Sequence, residues 1–464
     1  MSNNLIELAN KLFESKLQQT IRSPQSQIRN PVHVVYGGAD RFSAQTPAKF
    51  GKLALQSIGN YAPNFVEFAN AMWLKGCDTL PIYEDVVADL EFKLIENAEM
   101  VKQENYSAWF AWTIYNRVIE KLKREPIEDF RIDFEDGYGI RSDEEEDSHA
   151  ILASTELVNS FLNQTITLFC GFRIKSFQAE TFQRAVRTLE LFLTNLLEKT
   201  NNILPENFVV TLPKITRAEE VTVLDELLTE FEKQNNLAPN SIKIEIMIET
   251  PEAILEIKNL AEAAKDRIVA AHFGAYDYTA SFGITAVHQH LKHDACNFAR
   301  NVMQIALSPL GIRLSDSVTT EMPVPIHKGE NLTNQQIKEN KQVVHQAWRL
   351  HFNNVTHSLT NGFYQSWDLH PAQLVARYAA VYSFFLESFD EQSIRLKRFL
   401  DKATKATMSG NQFDDAASAQ GLLNYCIRAV SCGALSESEV LKAANLTLEE
   451  LNSGSFVKIM EGRV

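Results

Sequence analysis

The sequence predicts an α/β chain folded as a (β/α)8 TIM barrel, with a helical insertion after the first strand and a C-terminal helical extension. Three observations predict it. Eight short runs rich in β-branched and aromatic residues succeed one another through the middle of the chain. Helix-sized segments separate them, as the crossovers of a parallel sheet require. Several of the runs are nearly continuous in apolar residues, the mark of strands covered on both faces. An open doubly wound sheet carries a similar signature, and the count of eight favours the barrel.

Taken in order, residues 1–30 begin with an amphipathic helical pattern, MSNNLIELANKLFESKLQQT, whose apolar run is too short and interrupted for a signal peptide. The barrel occupies residues 31–375. Its strands are expected at His33–Gly38, Phe130–Glu135, Thr167–Ile174, Phe208–Lys214, Ile242–Glu249, Ile268–Asp277, Ile312–Val318 and Phe363–Leu369. Between the first two lies a segment with helical periodicity (SAWFAWTIYNRVIEKLKRE), read as an insertion over about residues 42–125. Residues 376–464 read as a helical extension, from LVARYAAVYSFFLESF to DDAASAQGLLNYCIRAVSCG. The acidic run Asp143–Asp147 reads as a solvated loop.

Charge and cysteine usage narrow the function classes. Forty-five Lys and Arg stand against 59 Asp and Glu, a formal net charge of −14. Binding to nucleic acid or an anionic membrane draws on clustered basic residues; the acidic balance argues against it, and no basic patch with interleaved aromatics occurs. No stretch approaches the roughly 20 apolar residues of a membrane helix. The five cysteines, Cys77, Cys170, Cys296, Cys426 and Cys432, form no C-x-x-C pair and imply neither a zinc site nor a disulfide set. The expectation is a cytoplasmic protein.

Chemistry in parallel α/β folds collects at the carboxyl ends of strands. Six of the eight runs end in ionisable groups: Asp133, Glu135 and Asp136 after the second, Arg173 and Lys175 after the third, Lys214 after the fourth. Glu249, Asp277, and the pair Asp368 and His370 follow the fifth, sixth and eighth. Glu249 and Asp277 are expected on adjacent strands, which lie about 4.8 Å apart. Two carboxylates that close repel unless a cation lies between them, and two carboxylates with substrate oxygens and water suit Mg²⁺. The plain alternative is that each caps the helix that follows. Arg173 has the planar fork that grips a carboxylate, or it pairs structurally with the acids of strand two. Lys214 orients those same acids or meets substrate, and His370 reads as a packed loop histidine. Gly37-Gly38 lacks a G-x-G-x-x-G or GK[ST] continuation, and neither G-x-S-x-G nor H-E-x-x-H occurs.

These strand ends resemble the superfamily of the citrate lyase beta-subunit, malyl-CoA lyase and HpcH/HpaI aldolases. FRIDFEDGYG, CGFRIKSF, TLPKI, IMIETPEAI, FGAYDYTASFG and WDLHPAQL are similar to its motifs, in the family's order, over roughly residues 30 to 375. The resemblance implies Glu249 and Asp277 as ligands of Mg²⁺. It implies Arg173, Gly274 and Ala275 as substrate-binding, and Asp133, Glu135, Asp136 and Lys214 as the residues that orient Arg173 and metal-bound waters. Asp414 in SGNQFDDAASAQ, with Asp415 beside it, falls where the acyl-CoA branch brings a catalytic Asp over the site; the alternative is a cap of the helix from Ala416. The implied activity is a Mg²⁺-dependent carbon–carbon lyase or aldolase that works through a metal-stabilised enolate. Its substrate is a 2-oxo acid or hydroxyacyl compound, with a CoA thioester as the possible second partner, in a homo-oligomer (trimer or hexamer). A phosphoenolpyruvate-handling metal-enolate barrel and a non-catalytic scaffold are the alternatives. The chain departs from the family in its long insertion and in VYGGADRF at the first strand. Arg41 is the one basic residue near the expected CoA phosphate.

Overall fold

The computed structural model describes residues 29–401, 407–409, 412–414 and 416–463; the side chains of 407–409, 412–414, 416 and 417 fall outside that description. Eight parallel strands close into a barrel in chain order: β1 (His33–Gly38), β2 (Asp129–Asp133), β3 (Phe169–Arg173), β4 (Phe208–Leu212), β5 (Lys243–Ile248), β6 (Ile268–Phe273), β7 (Arg313–Val318) and β8 (Gln365–Asp368). β1 closes the sheet against β8, with Val35 opposite Asp368. The expected amphipathic helix at the start of the chain lies almost wholly outside the described residues.

The expected sixth strand runs too far. β6 ends at Phe273, Gly274 caps a short helix, Ala275–Ser281, and Asp277 sits in the first turn of that helix. Glu249 follows β5 directly, and the cap of the next helix is Thr250, whose side chain accepts from the Ala253 N–H. The acidic run is also reassigned. Asp143–Asp147 forms the first turns of the helix Asp143–Leu162, capped by Ser142, where negative charge is favoured by the helix dipole. Glu146 is buried there, 2.8 Å from Lys175 Nζ.

Side chains alternate across each strand. Arg131 on β2 reaches Glu245 on β5, so both point into the barrel. By the same alternation Asp129, Arg131 and Asp133 face inward, whereas Phe130 and Ile132 face the helices. The outward layer is aromatic and apolar; Phe172 stacks on Phe192 of the helix Phe182–Thr200 with centroids 4.0 Å apart. On that layer Asp368 accepts from His33 Nδ1 at 2.7 Å and from Arg377, and lies 2.8 Å from His351 Nε2. Burial of four ionisable groups is tolerable because each is paired.

The insertion is four helices, Thr46–Tyr61, Phe65–Met72, Glu84–Glu104 and Tyr106–Arg124. The last packs on the other three and on Gln373–Leu386, so the insertion is fastened to the barrel wall. Gln373–Leu386, which spans the expected boundary at residue 375, is almost wholly buried against Asn334–Thr360 and β8. Beyond it come Phe389–Asp401, an antiparallel pair of short strands (Thr407–Ser409 and Gln412–Asp414), and the helices Ala416–Ser431, Glu437–Ala444, Leu448–Ser453 and Phe456–Arg463. No helix among the described residues is long and apolar enough to cross a membrane.

Candidate active site

The carboxyl ends of β2 to β6 bring the strand-end charges together. Arg173 at the end of β3 is buried, and its Nε and Nη2 each donate to Asp133 at 2.6 Å. Asp133 also accepts from the amides of Glu135 (3.0 Å) and Gly137 (2.7 Å), so both of its oxygens are committed. The structural pairing weighed from sequence is therefore present: one edge of the Arg173 fork belongs to Asp133. Nη1 remains, 3.3 Å from Glu135 Oε2 and 3.7 Å from Met247 Sδ.

Lys214 follows β4 with φ of +51°, in the left-handed region. Its Nζ donates to Glu135 Oε1 at 2.6 Å and to Asp136 Oδ1 at 2.8 Å. Its backbone N–H donates to Glu249 Oε2 at 2.9 Å. One residue thus ties the acids after β2 to the acid after β5. Burial and the surrounding acids shift these groups in opposite directions. Burial pushes Glu135 up, against the pull of Arg173 and Lys214, while the Lys214 and Glu135 hydrogen bonds outweigh burial and bring Asp136 down.

Glu249 is 2% exposed. Burial pushes its carboxyl up to about 7, opposed by Arg173 and the Lys214 amide and reinforced by the charges of Asp277 and Glu135. Its other oxygen faces Gly274: a Cβ at that position would lie 2.5 Å from Oε1 and from Cγ. Gly274 is thus a space requirement of the Glu249 carboxylate. The N–H groups of the two expected substrate-binding residues are already used, Gly274 on the Ile248 carbonyl at 3.0 Å and Ala275 on Ser317 Oγ at 3.1 Å. Asp277 is exposed, and its side chain holds no hydrogen-bond partner among the described residues. The backbone of Asp414 pairs with Thr407 in the short hairpin; its side chain lies outside the described residues.

Among the described residues no group of three or more His, Cys, Asp and Glu is arranged to hold a metal ion. Glu249 and Asp277 are a pair, and Mg²⁺ is commonly held by one or two carboxylates with water and substrate completing its shell. The charge count fits such an ion. Asp133 is matched by Arg173, and Glu135 and Asp136 share Lys214, which leaves Glu249 and Asp277 without an ion-pair partner among the described residues, Arg173 acting on Glu249 only from a distance.

The floor of the site was not anticipated. Tyr36 of β1 and Trp367 of β8, both partly exposed, meet with ring centroids 4.5 Å apart and planes tilted by 32°, and the Arg173 guanidinium lies 4.8 Å from the Tyr36 ring. Beneath them Glu245 and His272 are fully buried. These residues are mid-strand, whereas the functional signal in the sequence lies at strand ends. Charged residues alternating with apolar ones in RIDFE and IKIEI would have pointed to the interior.

The chain matches known proteins at two levels. The model of a family described as DUF6986, a domain of unknown function, matches residues 13–459. Among solved structures, a citrate lyase from Burkholderia xenovorans LB400 has a TM-score of 0.53 at 19% identity, over 72% of this chain and 92% of that one. CitE from Mycobacterium tuberculosis, in complex with magnesium, acetoacetate and coenzyme A, has 0.44 at 15%, over 69% and 95%. Malate synthase from Haloferax volcanii, as a magnesium/glyoxylate complex, has 0.42 at 14%, over 68% and 78%. At 19% identity, the likeness to the Burkholderia structure is one of fold.

Proposed function

This chain belongs to the family DUF6986, a domain of unknown function, and we propose that it is a Mg²⁺-dependent carbon–carbon lyase or aldolase acting on a 2-oxo acid or its hydroxyacyl adduct. The observation that carries the reading is the carboxylates Glu249 and Asp277, which act on one another and have no ion-pair partner among the described residues, beside a pinned arginine at the carboxyl ends of the strands.

Glu249 and Asp277 would hold the ion. Bound Mg²⁺ supplies Lewis-acid polarisation of the carboxylate and carbonyl oxygens of a 2-oxo acid. Arg173 would turn its Nη1 edge, which meets only Glu135 at 3.3 Å and Met247 Sδ at 3.7 Å, to the ligand, because Nε and Nη2 are held by Asp133. A donor fixed in advance stabilises developing negative charge without reorganisation. Lys214 keeps Glu135 and Asp136 in place and aims its N–H at Glu249, so that ligand is oriented before an ion arrives. Asp414 is the proposed acid/base, on the strength of its place in the SGNQFDD segment. A CoA thioester as second substrate, a trimeric or hexameric assembly and a cytoplasmic location belong to the same proposal.

The test is thermal and urea unfolding with Mg²⁺ alone, then with Mg²⁺ plus pyruvate, glyoxylate, oxaloacetate or acetyl-CoA. A ligand at 100 times its dissociation constant adds about 2.7 kcal/mol of stability. The proposal expects a gain that needs metal and a 2-oxo acid together, abolished by Glu249→Gln or Asp277→Asn. No gain with any 2-oxo acid would overturn it.

A further inference from the structure

Barrel interiors of this kind are ordinarily packed with branched apolar side chains. Here the middle is charged. Glu245, fully buried, accepts from Arg131 Nε (3.1 Å) and Nη2 (2.8 Å), from Thr211 Oγ1 (2.8 Å) and from the Tyr36 hydroxyl (3.1 Å). His272 Nε2 lies 2.8 Å from the same carboxylate, and its Nδ1 accepts from the Trp367 indole N–H at 2.9 Å. Burial opposes a charge here, yet Arg131 and His272 hold the Glu245 carboxyl well below the usual range. Asp129 continues the column downward, bonded to Arg131 and to Gln365 Nε2 at 2.9 Å.

The top of this column is the aromatic pair on which Arg173 rests. The guanidinium centre is 4.8 Å from the Tyr36 ring and 5.9 Å from the Trp367 ring. Asp133 fixes Arg173 in its own plane through two parallel hydrogen bonds. It does not stop the plane from tilting; a ring face does, through the attraction of a desolvated cation for an aromatic quadrupole. The tilt of the ring is in turn set at its far end, where the hydroxyl is held by Glu245. Asp133 and Tyr36 therefore constrain different degrees of freedom of one side chain.

We propose that Tyr36 is a positioning residue for Arg173, anchored by the buried Glu245, and that with Trp367 it sets the direction in which Nη1 meets an anionic ligand. The inference rests on the reading of Arg173 as an anion donor in the preceding subsection. Two variants separate ring from hydroxyl: Tyr36→Phe keeps the face and removes the anchor, and Tyr36→Leu removes both. Two readouts are taken on the full chain below its melting temperature. One is the affinity for pyruvate or oxaloacetate at saturating Mg²⁺, by calorimetry. The other is hydrogen exchange at the Arg173 Nε–H, by ¹⁵N NMR without ligand, assigned with Arg173→Lys.

Loss of a desolvated cation–π contact predicts affinity weakened about 30-fold in Tyr36→Leu. Loss of one hydrogen bond predicts about 5-fold in Tyr36→Phe. Exchange at Arg173 Nε–H is expected to quicken about tenfold in Tyr36→Leu, as the second restraint is lost. If the wild type binds a 2-oxo acid and both variants bind it equally well, the inference is overturned while the lyase reading stands. If the wild type binds none, the lyase reading falls, and exchange alone decides: faster in Tyr36→Leu supports the positioning role, unchanged refutes it. Should Tyr36→Leu not fold, Tyr36→Phe carries the same decision, with unchanged affinity and exchange as the refuting result.

Discussion

Replacing Gly274 by alanine adds one methyl group at the most crowded point of the site. The backbone angles of Gly274, φ −105° and ψ 86°, are negative-φ values that an alanine adopts, so the effect is one of space and not of strain. The new Cβ would lie 2.5 Å from Glu249 Cγ and Oε1 and 2.9 Å from Cδ. Ordinary contact requires the carboxylate to retreat by about 1 Å. Glu249 is buried and its Oε2 is held by the Lys214 N–H at 2.9 Å, so retreat stretches or breaks that bond. Overpacking of this kind costs about 1–3 kcal/mol, and a hydrogen bond to a charged group is worth about 1.5–3 kcal/mol. Because retreat relieves one as it loses the other, a net destabilisation of about 2–3 kcal/mol is expected in urea. If Glu249 is a metal ligand, a displacement of about 1 Å should also weaken Mg²⁺ binding at least tenfold by calorimetry, equivalent to about 1.4 kcal/mol. Wild-type stability in this variant would refute the placement of Glu249 against Gly274. Lost stability with unchanged Mg²⁺ affinity would refute Glu249 as a ligand.

Other perturbations have effects of defined sign. Gly59, exposed in the helix Thr46–Tyr61 with open space where a Cβ would go, should gain about 1 kcal/mol in urea stability as Gly59→Ala. Asp133→Ala takes from the buried Arg173 guanidinium its two shortest partners and leaves it Glu135 alone at 3.3 Å, and should cost about 3 kcal/mol in the same assay. Glu128 is buried; burial would raise its carboxyl, but Lys121 at 2.6 Å and then Arg29 and His33 bring it down to about 2. A carboxyl depressed in the folded state stabilises above its ordinary value of 4.5, and that contribution is lost as pH falls towards 2. Stability measured across that window should fall about 3 kcal/mol less steeply in Glu128→Gln than in wild type, and parallel curves would show that the carboxylate is not so held.

The barrel was legible because strands covered on both faces spell apolar runs: seven of the eight expected runs contain an observed strand, and the second overlaps β2, which starts one residue earlier at Asp129. Their ends were less legible. Residues 274–277 continue the apolar and aromatic character of β6, yet the chain turns into a helix at Ala275, after a Gly274 that makes room for the side chain following β5. A requirement imposed by Glu249 is invisible in the local sequence. The acidic run misled for the converse reason. Its charge suggested solvent, whereas Ser142 caps it into a helix and Lys175, 29 positions away, lets Glu146 be buried. The grouping of Arg173, Lys214, Glu135, Asp136 and Glu249 followed from strand order alone. What strand order could not supply was which partner each charge chooses, and so which carboxylates remain unmatched.

Lys214 shows how those choices are enforced. A non-glycine residue with φ of +51° carries a backbone cost of roughly 1–2 kcal/mol that glycine would avoid. Such strain persists only where surrounding structure over-determines it. The left-handed turn points the backbone N–H at Glu249 while the side chain runs back to Glu135 and Asp136. Glycine could supply the amide but not the ammonium. A lysine in the ordinary right-handed or extended conformation would supply the ammonium but aim its amide elsewhere. Both demands meet only in a strained lysine. The same residue therefore shares its one positive charge between two acids and leaves Glu249, which receives an uncharged donor, oriented but not neutralised. A carboxylate held in this way is fixed in direction and still short of a positive partner, the condition a divalent ion would relieve.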